Sequence, residues 1–181
     1  FKRRGLSDAT IARFRLGYAP DARDAVKRAL VPKGYSEAQL LEAGLLVKPD
    51  DGRSPYDRFR GRVMFPISDK RGRVIAFGGR VLGDEKPKYL NSPDTPLFHK
   101  GRVLYAYREA RAAAHGDAGK AGADVIVAEG YMDVIALHQG GFEGAVAPLG
   151  TALTEAQIEE LWRVQPEPLL CFDGDEAGRR A

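Results

Sequence analysis

The sequence is poor in cysteine and has neither a long apolar run nor a leader-like pattern. Its 181 residues include a single cysteine, Cys171, which excludes a disulfide framework and a cysteine-rich zinc site within this chain. No apolar run approaches the ~20 residues of a membrane-spanning helix, and no apolar segment follows residues 1–5. We therefore expect no membrane span and no signal peptide, and we predict a reducing, cytoplasmic location.

The residues that are present suit a folded protein, and their charges are unevenly distributed. Apolar residues make up 44% of the chain and charged residues 29%, which is typical of a globular domain. Residues 53–111 contain fourteen basic and six acidic side chains, net +8, whereas residues 112–181 contain four and twelve, net −8. This pattern favours a basic part that holds a polyanion and an acidic part that holds a divalent metal, although two solvated faces would give the same counts.

Local signals predict an α+β N-terminal part of two regions. Residues 1–52 form a small helical region, in which Ser7 and Ser36 are suitable N-caps. Residues 53–113 form a basic α+β region, in which two apolar runs flank the polar turn at 68–72. Runs separated in this way predict a β-hairpin.

The remaining residues, 122–181, alternate apolar strands with helices. The strands are predicted at 125–128, 145–147 and 169–172, and Thr154 begins a capping-box sequence for the second helix. The order βαβαβ predicts a parallel sheet with right-handed crossovers. The overall class is therefore α/β.

Acidic residues follow two of these strands directly. Glu129 comes after the first strand, and Asp173 and Asp175 come after the third. Since sites in open α/β sheets lie beyond the carboxyl ends of the strands, we expect the three carboxylates to converge. Crowded carboxylates repel one another unless a cation binds, which predicts Mg²⁺. A loop or helix-cap role is the alternative for the aspartate pair.

Two segments around these acids resemble the signature motifs of the Toprim domain, namely Val127–Val134 and Phe172–Gly178. Four further segments are similar to the catalytic core of DnaG-type bacterial primases, and they occur in the same order: Tyr56–Ile67, Phe77–Arg80, Pro87–Pro93 and Phe98–Gly101. The resemblance runs from about residue 5 to the end of the sequence.

The resemblance implies a role for each matching residue. Glu129 corresponds to the Toprim glutamate, and Asp173 and Asp175 correspond to its metal-binding pair, with Mg²⁺ as cofactor and Mn²⁺ as a substitute. Asp133 is a possible supporting carboxylate. The residues that match the primase groove for template and nucleotides are Arg58, Arg60, Arg80, Lys88, Asn91 and Lys100.

The resemblance also implies an activity and partners. Such a protein makes short RNA primers on single-stranded DNA from NTPs, at the replisome on the bacterial nucleoid. The zinc-binding domain that precedes this core and the domain that contacts the replicative helicase are not within this sequence. The Toprim fold is expected to continue beyond Ala181, so residues 122–181 form a truncated Toprim portion, and we expect the isolated chain to be inactive.

Several competing functions remain at this point. A nuclease of the Toprim group would need the same acids, and a non-catalytic module for single-stranded DNA could retain them. Residues 169–175 also resemble the nucleophile strand of haloacid-dehalogenase phosphatases, but Ala177 stands where that family has Thr or Val. A topoisomerase would need a tyrosine on a separate domain, and a recombination-repair Toprim protein would need a four-cysteine zinc site.

Overall fold

The computed structural model describes residues 2–83, 86–116, 122–150 and 152–174. The chain forms two compact units. The antiparallel unit consists of Arg15–Pro66 and Ile75–His99, and the parallel unit consists of the residues up to Phe14, of Ile67–Val74, and of the residues from Lys100 onward. The predicted regions 1–52, 53–113 and 122–181 follow the order of the chain, whereas the compact units are interleaved along it.

The strands and helices alternate irregularly along the chain. The strands are β1 (Gly17–Ala19), β2 (Leu46–Val47), β3 (Tyr56–Asp57), β4 (Arg62–Ser68), β5 (Val74–Val81), β6 (Tyr89–Asn91), β7 (Leu104–Tyr105), β8 (Ile126–Ala128), β9 (Ala145–Pro148) and β10 (Leu169–Cys171). The helices are α1 (Asp8–Arg13), α2 (Ala25–Leu30), α3 (Glu37–Glu42), α4 (Tyr107–His115), α5 (Tyr131–Gln139) and α6 (Glu155–Trp162). Short 3-10 turns lie at Lys2–Arg4, Val31–Lys33 and Lys100–Arg102.

The antiparallel unit is built on a four-stranded sheet in the order β1-β4-β5-β6, with β2 and β3 forming a separate pair. The predicted hairpin is therefore confirmed as β4 and β5, and its tip, Ile67–Val74, belongs to the parallel unit. Strand β1 pairs with β4 only from Arg62 to Met64. Pro66 lies beyond that pairing, where its missing N–H costs no bond to β1.

Residues 1–52, predicted as helical, also contain the short strands β1 and β2. Strands of two or three residues are too short to show an alternating pattern, so their partners alone reveal them. The predicted N-cap Ser36 is confirmed, because its side chain and that of Gln39 form a complete capping box. Helix α3 ends before Gly44, which has a φ of +67° and lies close to Pro93.

The parallel unit contains the predicted βαβαβ arrangement. Its sheet has the order β10-β8-β9-β7, with β8 parallel to both β9 and β10. Strand β7 adds to the far edge antiparallel to β9, which the sequence did not predict. Helix α5 ends at Gly140, and α6 begins with the predicted capping box of Thr154 and Gln157.

The core of the parallel unit lies between the sheet and the helices α4 and α6. Its fully buried side chains are Leu104, Ala110, Val125, Val127, Val146 and Leu161. Removal of these side chains from water stabilises the sheet that carries the acidic residues.

Helix α1 joins this unit through polar contacts with α5. The backbone N–H of Ser7 donates to Oε1 of Gln139 over 2.8 Å, and the Gln139 side-chain amide donates to the Gly5 carbonyl over 2.9 Å. Ser7 also caps α1, as predicted, by accepting from the Thr10 N–H.

None of the helices in the part of the chain that the structure describes is long and apolar enough to cross a membrane.

Candidate catalytic corner and basic surface

The predicted acids Glu129 and Asp173 lie side by side. Strands β8 and β10 pair in parallel with Ala128 opposite Cys171, so the residues that follow them leave the sheet at neighbouring points. Oε1 of Glu129 accepts a hydrogen bond of 2.7 Å from the backbone N–H of Asp173. We call Glu129 and Asp173 the acidic corner. Asp175, the third predicted acid, lies outside the described residues.

The strand order explains why the corner forms at this place. Strand β8 comes first in the βαβαβ unit, but it lies between β9 and β10 in the sheet. The chain therefore moves to one side of β8 and then returns across it, and ligands bind where strand order reverses in this way.

The start of α5 supplies a third carboxylate near this point. Gly130 is the N-cap of α5 and has extended backbone angles. A Cβ on Gly130 would lie 3.4 Å from Oδ2 of Asp133, so glycine leaves room for that carboxylate. Asp133 lies in the first turn of α5, where the helix dipole favours a negative charge.

The acidic corner has suitable chemistry for a divalent cation. Asp173 is exposed and Glu129 is half-buried. Both acids offer hard oxygen donors, which Mg²⁺ and Mn²⁺ prefer. Across residues 2–83, 86–116, 122–150 and 152–174, however, no three potential ligands come together as a metal site. The described residues therefore provide the Glu129 carboxylate bound to the backbone of Asp173, and they provide no complete coordination sphere.

In the antiparallel unit, Arg58 and Asn91 are brought together. Nε and Nη2 of Arg58 donate to the Asn91 carbonyl oxygen over 3.2 and 3.0 Å. Partial burial lowers the pKa of the Arg58 guanidinium from its usual value, which nevertheless leaves an arginine charged at neutral pH. Arg58 thus fixes β6 with two of its donors and keeps the others.

Arg80 lies near the end of β5, beside the edge strand β6. It lies opposite Tyr89 in the β5–β6 register, one pair away from Leu90 and Gly79. Its guanidinium carbon is 5.7 Å from the centroid of the Tyr89 ring. Nε of Arg80 is buried and has no acceptor among the described residues. An arginine whose donors are not consumed within the protein is suited to an anionic ligand.

Gly79 and Arg62 support this edge from its other face. A Cβ on Gly79 would lie 2.9 Å from the Phe59 ring and 3.1 Å from Cδ of Arg62. Arg62 is buried, and Nη1 donates to the Pro87 carbonyl over 3.0 Å. Arg62 therefore anchors the segment before β6 rather than offering a charge to solvent.

The other predicted basic residues are more widely distributed. Arg60 lies over the Tyr56 ring at 5.1 Å from the guanidinium carbon to the ring centroid. Lys88 is exposed in the antiparallel unit. Lys100 belongs to the parallel unit, where its carbonyl oxygen accepts from Nε2 of Gln157 over 3.0 Å. The basic residues therefore belong to both units.

Comparison with known proteins identifies the family. The profile described as the DNA primase catalytic core, N-terminal domain, matches residues 1–111, and a Toprim domain profile matches residues 123–181. The chain belongs to the DNA primase catalytic-core family. The Toprim match covers the segment that also resembled a phosphatase strand, and it leaves that alternative without support.

Primases from several bacteria are closely similar to this chain. It is 57% identical to the DNA primase of Deinococcus radiodurans over 180 residues, which cover 98% of the chain and 30% of that protein. The DNA primase of Escherichia coli K12 is 52% identical over 99% of the chain and 30% of its own length. The chain thus spans about a third of the length of these relatives.

Solved primase structures share the fold. A DNA primase domain from Pseudomonas aeruginosa superposes with a TM-score of 0.88 at 52% identity, covering 99% of this chain and 55% of that one. A DnaG primase catalytic domain bound to ssDNA gives a TM-score of 0.84 at 51% identity, covering 99% and 54%. The primase fold expected from the motifs is confirmed, and the family suggests use of a divalent metal.

Sequence reasoning about the primase motifs missed one buried residue, Asp57. Its side chain is 1% exposed, and Oδ2 accepts a 2.7 Å hydrogen bond from the Val26 N–H at the start of α2. Asp57 and Phe59 are buried while their neighbours are more exposed. The alternation becomes visible only in the folded chain. From sequence alone, an aspartate is usually predicted to face solvent.

Proposed function

We propose that this chain is part of a bacterial DNA primase, an enzyme that makes short RNA primers on single-stranded DNA by nucleotidyl transfer. The observation that carries the proposal is the hydrogen bond between Glu129 and the Asp173 backbone. It supports a shared role for the two Toprim acids at the carboxyl ends of adjacent parallel strands. The identity to bacterial primases supports the same assignment.

The residues of this chain would divide the work between holding metal and binding nucleic acid. Glu129 and Asp173, with Asp175, would hold Mg²⁺ or Mn²⁺, and Asp133 would support them. When bound, such an ion neutralises charge on the reacting phosphates and lowers the pKa of the attacking 3′-hydroxyl. We assign no protein side chain as a general base.

Binding of the template and of NTPs falls to the basic residues. Arginine forks suit phosphate oxygens, and clustered basic side chains release the counterions of single-stranded DNA. We assign this role to Arg58, Arg60, Arg80, Lys88, Asn91 and Lys100. The related DnaG domain that was crystallised with ssDNA supports the substrate class.

The wider setting also belongs to the proposal. A primase of this family acts in the cytoplasm at the replisome, with the replicative helicase as partner and with zinc in a preceding domain. Because the chain covers 55% of the Pseudomonas aeruginosa domain, activity is best tested in a complete primase that contains this sequence.

The decisive experiment measures labelled RNA made on single-stranded DNA with four NTPs and Mg²⁺ or Mn²⁺. We expect Glu129→Gln to lower primer synthesis by about 100-fold or more, the usual cost of losing an essential charged group at a reacting centre. Glu159→Gln is the matched control, because Glu159 is exposed on α6 and makes no ion pair within the described residues.

Three results would contradict the proposal. If primer synthesis is unchanged in Glu129→Gln, the acidic corner is not required for catalysis. Degraded DNA in place of new RNA would indicate a nuclease. Intact DNA binding with no RNA from the unmodified protein would indicate a binding module.

A further inference from the structure

Side chains alternate between two sides along Tyr56–Arg60. Asp57 and Phe59 are 1% and 5% exposed, whereas Tyr56, Arg58 and Arg60 are half-buried. Strand β3 ends at Asp57, and the chain bends at Arg58. The accessible side chains of this segment are therefore Tyr56, Arg58 and Arg60, and the contact of Arg60 with the Tyr56 ring brings these two together.

A third arginine, Arg23, joins these residues from a distant part of the sequence. Its guanidinium carbon lies 5.0 Å from the centroid of the Tyr56 ring, and that of Arg60 lies 5.1 Å from the same centroid. One aromatic ring thus holds two guanidinium groups by cation–π contact. We call Arg23, Tyr56 and Arg60 the two-arginine cluster.

Buried Asp57 determines where Arg23 lies. The backbone N–H of Asp57 donates to the Arg23 carbonyl over 2.8 Å, and its Oδ2 accepts from the Val26 N–H over 2.7 Å. These two bonds hold the segment 23–26 alongside β3. The position of Arg23 is therefore set by the fold and not by chance contact of a long side chain.

The two guanidinium groups keep their hydrogen-bond donors. Within the described ranges, neither the guanidinium group of Arg23 nor that of Arg60 makes a hydrogen bond or an ion pair. The nearby acids have other contacts. Asp51 is bound by Nε and Nη2 of Arg53 over 2.7 and 2.6 Å, and Asp24 pairs with Arg28 over 3.3 Å.

One further acid, Asp21, lies in the surroundings of the cluster. Asp21 lies beside Gly61, with its Cβ 3.7 Å from the position of a Cβ there, and it makes no ion pair with a described residue. The pKa of Asp51 is lowered mainly by its hydrogen bonds to Arg53, with the charge of Arg23 as the smallest contribution. Among the described residues, no carboxylate thus forms an ion pair with the two-arginine cluster.

We propose that the two-arginine cluster binds a phosphodiester group of single-stranded DNA, and that Arg23 is a nucleic-acid contact in addition to the residues of the primase motifs. Two like charges held on one ring repel each other, and a bound phosphate relieves that repulsion while taking the planar guanidinium forks. The Tyr56 ring restricts both side chains before binding, so less entropy is lost when the phosphate binds. The inference rests on the proposed function and deepens it.

Single-stranded DNA binding tests the inference without catalysis. The complete primase is titrated against a fluorescent oligo-dT by anisotropy, in EDTA, at several NaCl concentrations. We expect Arg23→Ala to weaken binding about fivefold near 0.1 M salt and to reduce the slope of log K against log salt by about 0.7, the value for one lost phosphate contact on a single strand.

Two further variants separate a phosphate contact from a general effect of charge. Lys33→Ala removes an exposed positive charge from the same unit, and we expect it to leave both affinity and slope unchanged. Arg23→Lys keeps the charge but loses the planar group, so we expect it to retain the slope while weakening binding about twofold. Thermal unfolding midpoints confirm that all variants are folded.

Defined results would overturn the inference. Equal slopes for Arg23→Ala and Lys33→Ala would show that Arg23 makes no phosphate contact. A higher KM for NTPs with unchanged DNA affinity would assign the cluster to the nucleotide instead. DNA binding is measured without metal, so its outcome does not depend on catalysis. A failure of primer synthesis would therefore count against the proposed function and not against the role of Arg23 in DNA binding.

Discussion

The acidic corner and the basic residues Arg58 and Arg80 are held in place by different contacts. Glu129 and Asp173 are short side chains that follow adjacent parallel strands, and a bond to the protein backbone joins them. Arg58 and Arg80 are long side chains that depend on a carbonyl oxygen or an aromatic ring for their positions. Sheet topology therefore places the acids, whereas individual neighbours place the bases.

Charge counts show a related contrast between the chain and the folded units. Residues 53–111 have a net charge of +8, but thirteen basic and ten acidic residues in the antiparallel unit leave only +3, and the parallel unit has fifteen of each. The difference arises because two basic segments, residues 67–74 at the hairpin tip and residues 100–111, belong to the parallel unit. There Lys70 pairs with Glu160 over 2.6 Å. The uneven charge along the sequence therefore marks the segments that carry the basic motifs, but it does not predict the net charge of either compact unit.

The largest expected effect separates turnover from binding. In a complete primase, Asp173→Asn should lower kcat for primer synthesis by about 100-fold or more with little change in template affinity, because the proposed role of Asp173 is to hold the metal. Arg80→Ala should instead raise the KM for the template by about tenfold, because the proposed role of Arg80 is to contact phosphate. Steady-state kinetics with varied template measure both. Equal effects of the two variants on kcat would refute the separation.

A smaller effect tests whether close packing at Gly79, the residue before Arg80, is needed for stability. Gly79→Ala would place a methyl group 2.9 Å from the Phe59 ring, and we expect it to lower the free energy of unfolding by about 1–3 kcal/mol through overpacking. Gly83→Ala is the control, since nothing lies within 4 Å of its added Cβ. Chemical denaturation measures both variants, and equal midpoints would show that the glycine is not required there.

The smallest expected effect concerns the hairpin tip and depends on pH. Oε2 of Glu160 accepts from Lys70 over 2.6 Å and from the Tyr107 hydroxyl over 3.2 Å, and Oε1 accepts from Arg163 over 2.5 Å. Burial opposes ionisation, but these bonds and the cationic partners outweigh it and lower the pKa of Glu160 below 4.5. The ionised carboxylate is therefore favoured in the folded state.

The sign of the pH dependence follows from that lowered pKa. Stabilisation by Glu160 is complete above about pH 4.5 and is lost as the pH falls through the folded-state pKa. We expect Glu160→Gln to lower the free energy of unfolding by about 1 kcal/mol at pH 7, with the difference shrinking towards acid pH. Urea unfolding at pH 7 and pH 3 provides the measurement, with Glu159→Gln as control. A difference that persists at pH 3 would disprove the assignment.

Sequence reasoning succeeded where local signals determine the structure. Ser7, Ser36 and Thr154 cap helices as predicted, because a cap depends on residues three positions away. The meeting of Glu129 and Asp173 also followed from strand order and a general rule about strand ends. The positions of these two acids could therefore be predicted without knowledge of side-chain packing.

Features that depend on distant partners were not predictable in the same way. Strand β7 has two residues, and only its pairing with β9 defines it. Burial of Asp57 depends on the start of α2, thirty-one residues earlier. Arg23 has no motif around it, and its contact with Tyr56 requires the folded chain. Asp175 lies outside the described residues, so its place in the corner stays a prediction.

The contact between Ser7 and Gln139 has a consequence for biosynthesis. These residues are 132 positions apart, so a ribosome releases the first long before it has made the second. Every residue of the antiparallel unit is available once His99 has emerged, whereas the parallel unit must wait for β8, β9 and β10. Domains tend to fold as units during synthesis. We therefore expect the antiparallel unit to form on the ribosome while α1, although synthesised earlier, is among the last elements to find its place.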